Sequence, residues 1–288
     1  MSPLDGTSAV LLLSCPDRPG VVAAVADFVY RHGGNIVDAQ QHTDRTDGVF
    51  FQRVEFALDG CDLARNEIER SLQPLVERFD MECAVRFSDD VPRVGVLVSR
   101  EAHCLVDLLA RSRRGELEIE IPVVISNHPD HAEVAQWFGI AFVHLPVTAD
   151  TKPAQEAAVQ ATLEEHGVTL VVLARYMQIL SPEFVAQWPD AIINIHHSFL
   201  PAFMGGRPYH QAHERGVKIV GVTAHYATAE LDDGPIIDQD VVRVSHRDAV
   251  EDLQRRGRDL EVVVLARAVR AHVEHRVLVH GRRTVVFD

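Results

Sequence analysis

The sequence has few cysteines and no pairing pattern among them. Its 288 residues include only Cys15, Cys61, Cys83 and Cys104, with no CxxC pair and far from the density of a disulfide-stapled secreted domain. We therefore expect reduced thiols, which behave as small buried apolar side chains, in a cytoplasmic protein.

The chain also lacks an excess of basic residues and any long apolar run. Lys and Arg number 28 against 42 Asp and Glu, and the resulting formal charge of -14 argues against nucleic acid as a main partner. No apolar run reaches membrane-spanning length, and Met1 to Ser8 has no basic region of the kind that opens a secretory signal. We expect a protein without nucleic-acid or membrane partners, long enough for two domains.

The pattern of residues 1–87 predicts a small βαββαβ unit, which is a ferredoxin-like arrangement. Apolar strand patterns alternate with two amphipathic helical patterns, separated by turns rich in Gly, Pro and Asp. The predicted elements are strands at 8–14, 35–42, 49–58 and 81–87 and helices at 21–32 and 62–79.

Two turns in this unit carry a resemblance. Asp17-Arg-Pro-Gly20 joins the first strand to the first helix, and Gly33-Gly-Asn35 follows that helix. With these turns the segment resembles an ACT domain, which implies pairing into a homo-oligomer and binding of a small amino-acid effector near the first turn. The resemblance makes Asp17, Gly20 and Asn35 candidate effector-binding residues, while Asp17 can equally be a simple turn residue.

A polar linker at 88–91, ending before Pro92, separates this unit from a second predicted domain at 92–288. In that domain short apolar strands alternate with helices, which predicts an α/β, Rossmann-like, mostly parallel sheet covered on both faces. Ligands of such sheets bind beyond the carboxyl ends of the strands.

The segment Asn194-Ile-His-His-Ser-Phe-Leu-Pro201 follows the apolar residues 191–193 and reads as the end of a buried strand opening into a loop. Strand alternation places Asn194 and His196 on one face. An amide donor and a titratable imidazole suit a carbonyl that is becoming an oxyanion, and a carboxylate at Asp232 could orient a nucleophile or accept its proton. Transfer of a small acyl group fits all three roles, although loop capping and a satisfied core histidine are the alternatives for the first two residues.

The first strand-to-helix turn of this domain, Ser99-Arg-Glu-Ala-His103, has no glycine and contains an acidic residue. A phosphate-binding turn uses glycines so that backbone N–H groups can approach the anion. We therefore expect no phosphorylated co-substrate.

Several motifs together resemble the 10-formyltetrahydrofolate formyltransferase fold over about residues 92–275. They are Asn194-Ile-His196, Ser198-Phe-Leu-Pro201, Gly221-Val-Thr-Ala-His225 and Leu231-Asp232. The resemblance implies that Asn194, His196 and Asp232 are catalytic, and that segments 173–180 and 227–232 bind folate. The substrate-binding positions it suggests are Arg175, Met177, Leu180, His197, Gly205, His225 and Thr228.

Departures from the transferase pattern favour one branch of this fold. The glycine-rich phosphate turn is replaced by 99–103, and the usual proline after the catalytic histidine is His197. With an ACT-like domain in front, the chain resembles the formyltetrahydrofolate deformylases. This implies hydrolysis of 10-formyltetrahydrofolate to formate and tetrahydrofolate without a metal or redox cofactor, a supply of formate for purine synthesis, and balancing of one-carbon folate pools.

Three alternatives remain from the residues themselves. The protein could transfer the formyl group to an unphosphorylated amine, and acceptor-free formate release separates the two activities. The Asn194, His196 and Asp232 set could bind a divalent metal for hydrolysis, although its spacing is not a recognised zinc pattern. The third alternative is an amino-acid sensor without catalytic activity, which the intact three-residue set disfavours.

Overall fold

A computed structural model describes residues 6–202 and 207–288, and its N-terminal part contains four strands and two helices. In chain order these are β1 (Ser8–Pro16), α1 (Val21–Arg31), β2 (Asn35–Asp44), β3 (Val49–Ala57), α2 (Arg65–Phe79) and β4 (Glu82–Phe87). The strands form one antiparallel sheet in the order β2-β3-β1-β4. The predicted ferredoxin-like βαββαβ unit is confirmed.

The second helix begins three residues later than the sequence pattern suggests. Its N-terminal boundary is set at Ala64, whose backbone N–H donates to the Glu67 carboxylate at 3.1 Å. A glutamate at this position satisfies a backbone donor that has no partner within the helix.

The chain divides into two units, and the first includes part of the C-terminus. Besides the chain up to Val91 it contains Glu274–His280 and Val285–Asp288, whereas the sequence-based division placed all of 92–288 in the second domain. The physical reason is burial of one face of the sheet. An apolar cluster there joins strand residues to the C-terminal segments; its members include Val10, Leu12, Phe51, Leu278, Val285 and Phe287.

The second unit comprises Pro92–Val273 and Gly281–Thr284. Its elements are β5 (Arg93–Val98), α3 (His103–Arg113), β6 (Glu120–Ser126), α4 (Ala132–Phe138), β7 (Ala141–His144), α5 (Lys152–Glu165), β8 (Leu170–Leu173), α6 (Pro182–Val185), β9 (Ile192–His196), α7 (Pro208–Glu214), β10 (Ile219–Tyr226), β11 (Ile236–Arg243) and α8 (Val250–Val273). The chain then closes with β12 (Val277–His280) and β13 (Arg283–Val286). The short helix α6 was not predicted.

Seven strands form the central sheet, in the order β11-β10-β9-β8-β5-β6-β7. The five strands from β9 to β7 pair in parallel, and β10 pairs antiparallel with both of its neighbours. This confirms the Rossmann-like, mostly parallel α/β prediction. The carboxyl ends of β5, β8 and β9 consequently open on one edge, where an α/β sheet binds its ligands.

Apolar packing holds the sheet between helices. On one face, side chains of β6 and β8 pack with Val159 and Leu163 of α5 and with Phe184 of α6. The long helix α8 contacts β9, β10 and β11, and also α3 and α7. Among the described residues, no helix combines the length and the apolar character that crossing a membrane requires.

Candidate active site

Strand β9 positions two of the predicted catalytic side chains. The strand continues through His196, so the alternation of a β-strand places Asn194 and His196 on the same face, as the sequence predicts. The antiparallel neighbour β10 pairs His225 with Asn194 and Thr223 with His196. Thr223 also accepts a hydrogen bond from the Leu200 backbone N–H at 3.0 Å and donates to the Ser198 carbonyl at 2.9 Å, which fixes the loop after β9.

His225 orients the Asn194 amide. Its Nδ1 lies 2.9 Å from the Tyr226 carbonyl oxygen, which can only accept, so Nδ1 carries the proton. Its Nε2 must then accept, and Asn194 Nδ2 donates to it over 3.1 Å. Burial lowers the pKa of His225, which keeps the ring neutral and able to accept. One N–H of Asn194 is used in this way, and the second has no hydrogen bond to another of the described residues.

Asp232 lies against His196. Its Oδ1 is 3.1 Å from Nδ1 of the imidazole, and the side chains are only 10% and 7% exposed, respectively. Burial raises the pKa of Asp232, but the hydrogen bond and charge of His196 outweigh burial and hold the pKa below its ordinary value. The carboxylate is therefore ionised at neutral pH. The adjacent Asp233 pairs with Arg282 instead, so the two neighbouring carboxylates face different partners.

His196 is left with one unused nitrogen. With Nδ1 directed to Asp232, its Nε2 is buried and has no hydrogen-bond partner in the described part of the chain. A buried polar atom without a partner costs stability unless a ligand or water supplies one. The nitrogen is consequently available to a bound molecule.

These side chains share a cavity of about 340 Å³ with the predicted folate-binding segments. Of the predicted substrate-binding residues, the ones that line it are Arg175, Met177, Leu180, His197, His225 and Thr228. Gly205 lies outside the described residues. The structure thus gathers the three candidate catalytic residues and six candidate binding residues around a single cavity, although the role of each in binding remains a prediction.

The glycine-free turn after β5 holds the loop after β8. Ser99 is buried, and its hydroxyl accepts a hydrogen bond from the Met177 backbone N–H at 3.0 Å and donates to Asn127 at 2.7 Å. Its backbone N–H donates to the Arg175 carbonyl at 3.2 Å. The turn that lacks phosphate-binding glycines therefore has a structural task, which is to position one wall of the cavity.

A buried carboxylate, Glu261 on α8, was missed by the sequence analysis. It is 1% exposed and its oxygens lie 2.7 Å from His103 Nε2, 3.2 Å from the Tyr209 hydroxyl and 3.4 Å from Arg175 Nε. Burial raises the pKa of Glu261, yet the hydrogen bond from His103 and the charge of Arg175 lower it overall. The only sequence signal was an acidic residue beside the apolar run 262–265 of a long helix, which does not reveal burial.

His197 gives the second unit a testable pH dependence. Burial, and then the nearby charge of Arg175, lower the pKa of His197 to about 4. The unfolded chain takes up this proton near pH 6.5, so stability present above that pH is lost as the pH falls towards 4. Between pH 7 and 4.5, this group should lower the free energy of unfolding of the wild-type protein by about 2 kcal/mol. We expect His197→Gln to lack this contribution to the pH dependence.

The measurement is urea unfolding at several pH values, followed by tryptophan fluorescence. Both tryptophans, Trp137 and Trp188, belong to the second unit, so the signal reports the unit that contains His197. His275 also has a pKa lowered to about 4 by burial, but it lies in the first unit. Parallel pH profiles for wild type and variant would contradict the assignment.

The predicted effector residues lie on the surface of the first unit. Asp17 and Gly20 belong to the turn before α1, where Gly20 has a φ of 95°, a left-handed conformation that favours glycine. Asn35 is exposed at the start of β2. The Asp17 backbone N–H donates to the Gly48 carbonyl at 2.8 Å, which accounts for the turn without requiring an effector.

Comparison with known proteins is consistent with this arrangement. The formyl transferase family model matches residues 92–269, and the ACT domain model matches residues 9–75. A formyltetrahydrofolate deformylase from Synechocystis is 57% identical over 99% of this chain and 100% of its own length. One from Bacillus subtilis is 46% identical over 96% of this chain and 93% of its own.

A solved structure extends the likeness to three dimensions. The crystal structure of a formyltetrahydrofolate deformylase from Pseudomonas syringae pv. tomato superposes with a TM-score of 0.97 at 47% identity, covering 100% of this chain and 96% of that one. Both units are therefore matched in sequence and in fold, and the chain belongs to the formyltetrahydrofolate deformylase family.

Proposed function

We propose that the protein hydrolyses 10-formyltetrahydrofolate to formate and tetrahydrofolate. The observation that carries the proposal is the placement of an amide, an imidazole and a carboxylate around one cavity in a chain that matches named deformylases along its whole length. The enzyme is then a hydrolase acting on a linear amide-type C–N bond. Formate for purine synthesis and the balance of one-carbon folate pools are the corresponding proposed roles.

In the proposed reaction, a water molecule near Asp232 gives one proton to Nε2 of His196 as its oxygen bonds to the formyl carbon. The formyl oxygen becomes an oxyanion, which accepts hydrogen bonds from the free N–H of Asn194 and from the Nε2–H that His196 has gained. One such donor typically contributes about 2.7–4 kcal/mol to the barrier reduction. The bond from carbon to N10 then breaks as N10 takes that proton from His196, which gives tetrahydrofolate and formic acid, and the acid loses its proton to solvent to become formate.

The carboxylate supports this cycle through charge. Ionised Asp232 at Nδ1 stabilises the imidazolium and fixes the ring so that Nε2 serves the substrate. His225 acts through Asn194 and is a positioning residue. All of these groups belong to the chain itself, and the proposed steps use no cofactor.

The decisive experiment supplies purified protein with 10-formyltetrahydrofolate and no amine. We expect stoichiometric formate and tetrahydrofolate. Transfer to an unphosphorylated amine, the second candidate function, requires instead that product forms only when an amine is added. Absence of formate without an acceptor would overturn the proposal.

For the first unit we propose an amino-acid effector site and a contribution to a homo-oligomer, in a protein located in the cytoplasm. The support is the ACT family match over residues 9–75 together with the exposed turn at Gly20. We expect calorimetry with glycine, methionine or serine to show binding heat that Gly20→Val reduces. No heat from any of the three, with unchanged activity, would remove the effector proposal.

A further inference from the structure

A second, polar compartment adjoins the proposed folate cavity. Its volume is about 190 Å³, and Arg175, His197 and Arg207 line both spaces. The compartment is further bounded by Glu101, Arg258 and Glu261, so three arginines face two glutamates. Its fixed charge is therefore net positive, which favours a small anion.

Arg175 lines both spaces, and its hydrogen-bonding capacity is not used up. It lies 3.4 Å from Glu261 as an ion pair, but its buried Nε and Nη1 have no hydrogen-bond partner in the described part of the chain. Glu261, in contrast, already accepts hydrogen bonds from His103 and Tyr209. A guanidinium with free N–H groups matches the two oxygens of a carboxylate.

The backbone at Arg175 is strained to hold this side chain. Its φ is 63°, in the left-handed region that is unfavourable for a residue other than glycine. The Ser99 hydrogen bonds to the Arg175 carbonyl and the Met177 N–H maintain that conformation. Strain of this kind persists at functional positions.

We propose that this compartment is the formate subsite, in which Arg175 binds the carboxylate product so that formate leaves while tetrahydrofolate still occupies the larger cavity. This inference rests on the proposed hydrolysis. The folate product fills the cavity through which the substrate entered, so an exit on the other side of His197 lets the smaller product depart first. Glu261 positions the Arg175 guanidinium for this role.

Product inhibition tests the order of release. With formate leaving first, added sodium formate inhibits noncompetitively against 10-formyltetrahydrofolate, and tetrahydrofolate inhibits competitively. Sodium chloride at equal ionic strength serves as the control for screening. Competitive inhibition by formate, or equal inhibition by chloride, would overturn the subsite.

Substitutions of Arg175 test whether this residue binds formate. Arg175→Gly relieves the left-handed backbone, and Arg175→Gly with Glu261→Gln also avoids leaving a buried carboxylate without its cation. We expect the inhibition constant for formate to rise about tenfold or more in both, the effect of losing a charge-assisted hydrogen-bond pair. Arg175→Lys should restore part of the sensitivity.

The matched control is Arg255→Gln, an exposed α8 residue that pairs with Asp252 and lines neither space. The inhibition constant of formate for this variant should equal that for the wild-type protein. An unchanged constant in both Arg175 variants refutes the subsite while leaving hydrolysis standing. If wild-type protein releases no formate from 10-formyltetrahydrofolate, it is the proposed hydrolysis that fails.

Discussion

Asp232→Asn should lower kcat for formate release by about two to four orders of magnitude while leaving the fold intact. The carboxylate is ionised and 3.1 Å from His196 Nδ1, so the amide removes the charge that stabilises an imidazolium. The backbone tolerates the change, because Asp232 has a φ of 56° and asparagine is among the residues that best accept the left-handed region. Steady-state kinetics and thermal unfolding of the same preparation check both halves of this expectation.

The adjacent carboxylate is the matched control. Asp233 pairs with Arg282 and does not line the cavity, so Asp233→Asn should keep kcat within about threefold of wild type. Near-normal turnover of Asp232→Asn, or equal damage from the two substitutions, would contradict the assigned roles.

Substitutions of Asn194 and His196 should also lower kcat for formate release. Asn194→Asp replaces the N–H donor with an oxygen that faces the accepting Nε2 of His225, and it brings negative charge to the position of the oxyanion. His196→Ala removes the second donor. Each should cost about 10²–10³ in kcat, the effect of losing one oxyanion donor.

Local patterns predicted much of the site. The alternation of a strand placed Asn194 and His196 on one face because β9 extends through His196. The choice of Asp232 over Asp233 rested instead on the resemblance to the formyltransferase fold, whose motif has the carboxylate directly after a leucine, and it is Asp232 that contacts His196. Only the inference on Asn194 and His196 needed no more than spacing within a short segment, which backbone geometry converts directly into position.

Features that depend on contacts between residues far apart in the chain could not be predicted from the sequence. Glu261 lies in the middle of α8, the longest helix in the described part of the chain, and its burial follows from His103, Arg175 and Tyr209, residues 52 to 158 positions away along the chain. The C-terminal segments likewise join the first unit only because its sheet has an uncovered apolar face at Val10, Leu12 and Phe51. The periodicity of apolar residues in a sequence identifies the apolar face of a strand or helix, but it does not identify the distant segment that packs against that face.

Gly234→Ala should damage stability and catalysis together. A Cβ at this position would lie 1.7 Å from the Tyr226 carbonyl oxygen, a backbone atom that cannot move aside as a flexible side chain could. That oxygen accepts the His225 Nδ1–H bond, and residue 234 follows Asp232 by two positions. The substitution must therefore shift either the support of Asn194 or the turn that carries the carboxylate.

We expect Gly234→Ala to lower the free energy of unfolding by about 1–3 kcal/mol, as overpacking does, and to reduce kcat at least tenfold. Gly115→Ala separates the clash from the loss of glycine itself, because Gly115 has a φ of 71° but open space around its Cβ position. It should cost stability without a comparable loss of turnover. A wild-type kcat for Gly234→Ala would contradict the inference that the close approach of the 232–235 turn to Tyr226 sets the positions of Asp232 and Asn194.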